Sequence, residues 1–400
     1  MAATQTCRRP WEETASAGVS EPRTLALDGA LTLAGKRTLR GVEVAYETYG
    51  RLDEWGANAV LVCHALSGDA HVAGTRPGED PETARPGWWD IMVGPGKAID
   101  TDRFFVVCSN VLGGCSGTTG PGSVDPDTGR PYGPAFPLVT IEDMVDVQAR
   151  LLDALGVKRL AAVVGGSMGG MQALSWAVRY PDRVTAVVAD ATTPRLGAQA
   201  IAFHAVGRQA ILEDPHYANG DYYGGDVRPD SGLAIARMIG HITYLSDESM
   251  HTKFGRRLRE GDDYAYEFVS EFEVETYLAY QGARFVERFD ANTYLHMTKA
   301  MDYFDLRGEA ATLADALRGV RSRFLVTSFS SDWLFTTAQA KQLVAALRMV
   351  DAEVWFSEIE SAYGHDAFLL EPEAQYELIA PFLTEALVES TRRAREVTPL

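Results

Sequence analysis

The chain has 400 residues, 46% apolar and 23% charged. That is enough apolar side chain to build a core, which excludes a disordered chain, and four cysteines are too few for a disulfide scaffold. Lys plus Arg number 37 against 55 Asp plus Glu, a net of −18, so nucleic acid and anionic membrane are not expected as partners.

Residues 1–22 are polar and contain Pro10, Gly18, Ser20 and Pro22, which reads as a flexible arm. No apolar segment follows Arg8 and Arg9, so a secretory signal is not expected, and neither is a membrane-spanning helix. A cytoplasmic location is the expectation. Two β-like segments, 26–33 and 42–49, come next. The first strong strand is Ala59–His64, the second Phe104–Ser109, and each ends in a loop. Continuous apolar runs of this length suit strands buried on both faces of a parallel sheet.

From Thr140 the period becomes helical, with Ile141, Met144, Val145, Leu151, Leu152 and Leu155 on one face. Thr140 and Asp143 form an N-terminal capping pattern, and Gly156 ends the helix. The strand Leu160–Val164, a helix from Gly169 to Tyr180 and the strand Val184–Ala189 follow. This alternation predicts a parallel α/β sheet with right-handed crossovers. Between 196 and 309 only helices are expected: 198–212, 231–245, 274–289 and 291–302. Sheet pattern resumes at Arg323–Phe329 and 353–359, with a helix at 337–347 between them. The division is an arm at 1–22, a core at 23–195, a helical insertion at 196–309 and the rest of the core at 310–400.

Gly165-Gly166-Ser167-Met168-Gly169 matches G-x-S-x-G between a strand and a helix. That context belongs to a nucleophile turn, where a sharp bend lifts the serine hydroxyl above the sheet. Side chains at 165 and 169 would collide with neighbouring backbone. A serine needs a base, and the base an acid, in the chain order Ser, Asp, His. Of eight histidines only His365 lies beyond the insertion, in a loop after a strand. Asp332 follows the preceding strand and is the candidate acid. Asp351 is its rival, but it sits between a helix and a strand, on the opposite edge of the sheet. Backbone N–H groups of Met168 and Leu66 are the candidate oxyanion donors, Leu66 from the loop after the first strong strand.

His64 and His71 lack a third partner for a metal site. The glycine-dense loop from Asn110 to Pro121 contains no lysine and no G-x-G-x-x-G, so it is neither a phosphate loop nor a dinucleotide fingerprint. Cys115 within it has no assigned base. Cys63 and Cys108, inside apolar runs, read as buried thiols.

Several long stretches resemble the homoserine O-acetyltransferase family of the α/β-hydrolase type. They include HALSGDAH at 64–71, SNVLGGCSGTTGP at 109–121, GGSMGGMQALSWA at 165–177, ARMIGHITYLS at 236–246, YQGARFVERFDANTY at 280–294, SDWLF at 331–335 and YGHDAFL at 363–369. The resemblance covers residues 25–385. It implies an α/β-hydrolase fold with a mostly parallel central sheet and an inserted helical lid that also carries the contact of a homodimer. It implies ping-pong acetyl transfer from acetyl-CoA, a substrate and not a bound cofactor, to L-homoserine through an acyl-Ser167 intermediate, for methionine biosynthesis. Arg237 and Asp366 match positions that bind the amino acid, a role that suits a zwitterion. The same scaffold serves succinyl transfer. Succinyl-type members carry Arg where Leu334 stands and PQGHDAF for YGHDAFL, so acetyl is favoured here. Transfer to serine and plain ester hydrolysis are the other readings.

Overall fold

The computed structural model describes residues 15–80, 83–261 and 263–397. Its centre is an eight-stranded sheet. The strands are β1 (Arg23–Ala26), β2 (Glu43–Tyr49), β3 (Ala59–Cys63), β4 (Phe105–Ser109), β5 (Leu160–Gly166), β6 (Val184–Asp190), β7 (Arg323–Phe329) and β8 (Val354–Ile359). They lie in the order β1-β2-β4-β3-β5-β6-β7-β8. β1 and β2 run antiparallel to their neighbours, and the pairs from β4 to β8 are parallel. The α/β-hydrolase reading of the fold therefore holds.

Alternation along the strands explains the apolar runs. In β3, Ala59, Leu61 and Cys63 face one core and Val60 and Val62 the other. The first core is closed by α1 (Ile141–Ala154), α2 (Met168–Arg179) and, beyond the insertion, Thr337–Met349. The second is closed by Trp89, Met92 and the apolar face of the C-terminal helix Pro372–Val397. Each fully buried Leu or Val stabilises the fold by about 1.5–3 kcal/mol. α1 begins with the expected capping box: Thr140 Oγ1 accepts from Asp143 N, and Asp143 reaches back to the Thr140 N–H.

Five longer helical pieces stand between β6 and β7: α3 (Ala198–Leu212), α4 (Asp230–Tyr244), α5 (Asp247–Lys253), α6 (Glu273–Val286) and α7 (Ala291–Tyr303). They build a small core of their own from Ile211, Tyr222, Leu233, Ala236, Phe285, Phe289 and Tyr294. The insertion also grips the sheet's loops. Trp333 Nε1 donates to Leu245 O at 2.9 Å, and the Ser246 hydroxyl donates to Ala362 O.

One expectation is corrected. The arm at 1–22 was expected to be loose; residues 1–14 lie outside the described residues, but 18–20 are tied down. Thr75 N donates to Gly18 O at 3.0 Å, Ser20 N donates to Thr75 O at 2.9 Å, and Ser20 is buried. No helix among the described residues is long and apolar enough to cross a membrane.

Candidate active site

Ser167 sits between β5 and α2 with φ +57° and ψ −123°. A non-glycine residue there costs on the order of 1–3 kcal/mol, so its surroundings must enforce it. Three bonds do. Ser167 N donates to Asp190 O at 3.0 Å, while Ser167 O accepts from the Thr192 hydroxyl at 2.7 Å and from Gly170 N at 3.0 Å. The two flanking glycines are required by space. A Cβ at Gly165 would lie 2.3 Å from the Gly169 carbonyl carbon, and one at Gly169 would lie 2.0 Å from Cys63 O. The turn is thus wedged against the end of β3.

That wedge brings the two candidate oxyanion loops together. Met168 opens α2, and Leu66 lies half-buried in the turn after β3, closed by Gly68 N donating to Ala65 O at 3.0 Å. Gln172 Nε2 donates to both His64 O (3.1 Å) and Met168 O (3.3 Å), stitching one loop to the other. His64 uses both ring nitrogens internally: Nδ1 donates to Ala65 O at 2.7 Å and Nε2 accepts from Val111 N at 3.1 Å. His71 instead pairs with Glu47 at 2.8 Å.

His365 Nε2 lies 2.8 Å from Ser167 Oγ, and its Nδ1 lies 2.7 Å from Asp332 Oδ2. The other carboxylate oxygen of Asp332 accepts from Leu334 N and Phe335 N, both at 2.9 Å. A carboxylate so held makes Nδ1 the donor and leaves Nε2 to accept the serine proton. His365 and Asp332 are 3% and 4% exposed, so the pair works in low dielectric. Burial alone would depress the imidazole, but the charge and hydrogen bond of Asp332 outweigh it and raise His365 above its ordinary value. The rival acid, Asp351, is exposed and lines a surface cleft with Thr185 and Glu385, away from these loops.

Arg237, on α4, reaches the same place. Its Nη1 is 3.5 Å from Ser67 Oγ, and its guanidinium lies 4.7 Å from the Phe285 ring centre and 5.5 Å from that of Tyr244. Tyr244 in turn stands 6.1 Å from the His365 ring. Burial raises the Asp366 carboxyl, with His365 and Arg237 opposing the rise. The structure therefore brings Ser167, His365, Asp332, Arg237 and Asp366 to one end of the sheet.

The glycine-dense loop after β4 packs on β2: the Thr118 and Thr119 hydroxyls accept from Ala45 N and Glu43 N at 2.9 and 2.8 Å. Burial pushes the Cys115 thiol up to about 11, which keeps it from being a thiolate nucleophile.

Two residues escaped sequence reading. Asp190 ends β6, register-paired with Gly166 and Thr327, and is fully buried. One carboxyl oxygen accepts from the Thr327 hydroxyl; the other has no hydrogen-bond partner among the described residues. Burial pushes this carboxyl up to about 7. Its signal is an acid closing the strand-forming, mostly apolar run VTAVVAD. Arg288, just past α6, donates to Ser67 O at 2.8 Å, and nothing in its local pattern marked it.

The sheet order, the strained serine turn and the Ser–His–Asp alignment define an α/β hydrolase, and the sequence profile of the alpha/beta hydrolase fold matches residues 58–372. A homoserine O-acetyltransferase of Methanobrevibacter ruminantium is 53% identical over 374 residues, 94% of this chain and 75% of that one. A homoserine O-succinyltransferase of Magnetococcus marinus is 56% identical, over 91% of this chain and 94% of its own length. The crystal structure of a homoserine O-acetyltransferase from Bacillus anthracis superposes with a TM-score of 0.85 at 30% identity, covering 91% of this chain and 98% of that one. The chain belongs to this homoserine acyltransferase family of α/β hydrolases.

Proposed function

We propose that the protein is a homoserine O-acetyltransferase that works by a ping-pong mechanism with Ser167, His365 and Asp332 as its triad. Ser167 Oγ attacks the thioester carbonyl of acetyl-CoA while His365 Nε2 takes its proton. The N–H groups of Met168 and Leu66 hold the resulting oxyanion. The tetrahedral adduct collapses, the C–S bond breaks, and His365 returns the proton to the departing thiol. The homoserine hydroxyl then gives its proton to His365 and attacks the acetyl-serine carbonyl. Collapse of this second adduct releases O-acetylhomoserine, and Ser167 regains its proton from His365. Asp332 fixes the tautomer and stabilises the imidazolium in both halves. Arg237 takes the homoserine carboxylate and Asp366 its ammonium group.

The observation that carries this reading is that Arg237, reaching Ser67 beside Leu66, and Asp366, next to His365, put one cation and one carboxyl beside the triad. A plain esterase needs no zwitterion clamp beside its nucleophile. Leu334 offers no charge to a second carboxylate on the acyl group, which supports acetyl over succinyl. A cytoplasmic homodimer joined through the insertion completes the reading: Ile235 and Ile242, seven residues apart on α4, are exposed at 45% and 42% and sit on one helical face. The test is kcat/KM for acetyl-CoA and succinyl-CoA with homoserine, serine and water as acceptors. Preference for acetyl-CoA and homoserine is expected. Faster turnover with succinyl-CoA, or full turnover without an amino acid, overturns it.

A further inference from the structure

Arg237, on α4, and Arg288, in the turn after α6, approach one aromatic ring. Their guanidinium carbons stand 4.7 and 5.4 Å from the centre of Phe285, which is 2% exposed. Both also reach Ser67, Arg237 at its hydroxyl and Arg288 at its carbonyl. Partial desolvation against Phe285, although Arg288 keeps an exposed face, and the repulsion of two cations set side by side lower its basicity. Two nearby acids are engaged elsewhere, and Asp366, whose carboxyl feels the Arg237 charge, lies beyond ion-pair distance of either cation. Asp69, which faces Arg288, pairs with Arg76 at 3.5 Å, and Glu287 pairs with Arg284 at 2.6 Å. Among the described residues neither guanidinium has a carboxylate within 4.0 Å. In a chain of net charge −18, this pair stands ready for an anion that is not part of the protein.

We propose that Arg288 is the second half of a carboxylate cradle, gripping with Arg237 the α-carboxylate of the amino-acid acceptor. The inference rests on the acetyltransferase reading above and deepens it. Chemistry selects the ligand. A planar carboxylate offers four lone-pair sites, enough for two guanidinium forks, whereas one fork leaves half of them unmet. Position selects the substrate. Ser67 adjoins Leu66, so the cradle lies beside the proposed oxyanion donors, where the small acceptor must sit. The phosphates of coenzyme A are a whole pantetheine arm away from the reacting carbonyl. The buried Phe285 ring keeps water from one side of the cradle, which strengthens each charged bond. A two-armed cradle also selects against acceptors that carry the hydroxyl and the amine but no carboxylate.

The test compares homoserine with 3-aminopropan-1-ol, the same acceptor without its carboxylate, in the wild type, Arg288→Met and Arg288→Lys. Methionine keeps an unbranched apolar stem against Phe285. Losing one charged contact should raise the homoserine KM about 10- to 100-fold in Arg288→Met. The acetyl-CoA KM and the rate with 3-aminopropan-1-ol should stay near wild type, and Arg288→Lys should restore part of the homoserine KM. Equal loss with both acceptors means that Arg288 only holds the Ser67 carbonyl in place, and overturns the cradle. A rise in the acetyl-CoA KM alone assigns Arg288 to the donor and overturns it too. A wild-type enzyme that acetylates no homoserine is a different result, and removes the functional reading on which the cradle rests.

Discussion

Asp190→Asn should gain stability relative to the wild type as the pH rises from acid to alkaline. The Asp190 carboxyl is fully buried, and burial pushes it from 3.8 up to about 7. In the unfolded chain it ionises near its ordinary value. Its favourable contribution as a neutral acid is therefore complete below about pH 4 and is lost as the pH climbs to about 7. Each pH unit over that span costs about 1.4 kcal/mol, on the order of 4 kcal/mol in all. Asparagine keeps the shape and the acceptor for the Thr327 hydroxyl. Its amide takes the place of the oxygen that has no hydrogen-bond partner, at a cost of about 1–3 kcal/mol that does not vary with pH. The difference between two pH values removes that constant. From pH 5.5 to 8.5 the variant should gain about 2 kcal/mol on the wild type, from the part of the span lying between 5.5 and 7. Urea midpoints and slopes at the two pH values measure it. A variant that is shifted equally at both shows that Asp190 ionises normally, and refutes the reasoning.

Ser167→Ala should lose about 10⁶-fold in kcat with homoserine and acetyl-CoA, the scale of removing a triad serine; retention of more than a trace of turnover would sink the assignment. Asp332→Asn should cost on the order of 10⁴-fold by leaving His365 in the wrong tautomer, whereas Asp351→Asn should be neutral. Parallel steady-state assays decide between the two acids. Arg237→Ala should raise the homoserine KM much more than the acetyl-CoA KM. Acetyl-CoA is polyanionic and the chain carries −18, so its KM should fall as salt rises from 10 to 150 mM and screens the general repulsion; a rise over that range would place several cations, and not one local site, on the donor's path.

The parts of the site that follow chain order were legible in the sequence. Ser167 is marked by glycines that steric contact demands, His365 by being the one histidine beyond the insertion, and Asp332 by following β7. The strand ends were legible because burial on both faces makes β3, β5 and β6 continuous apolar runs. The other features obey non-local rules. Asp190 looks like a strand terminus until β5 and β7 close around it. Arg288 acquires meaning only when α6 sets it over Ser67. The helix Pro372–Val397 carries Pro381, which removes one ladder hydrogen bond and argues locally against a helix; packing of Ile379, Phe382, Leu383 and Ala386 on the sheet overrides it. The arm's residues Gly18, Val19 and Ser20 carry no strand pattern of their own, and only the bonds of Gly18 and Ser20 to Thr75 give them a fixed place.

The insertion is more than a cover. Its helix α4 ends at Tyr244, and the next residues, Leu245 and Ser246, bind the acid loop through Trp333 and the histidine loop through Ala362. Gly364, at φ +71°, has room only for a hydrogen there: a Cβ would come 2.7 Å from Tyr244 O. The residue before the catalytic base is thus clamped by the segment that carries Arg237. On the proposed reading, these contacts tie the acceptor's carboxylate site on α4 to the loop that carries the base, so that the two are positioned together. A hydrolase that admits water gains nothing from that coupling. An enzyme that must present one particular hydroxyl to an acyl-serine gains its near-attack geometry from it.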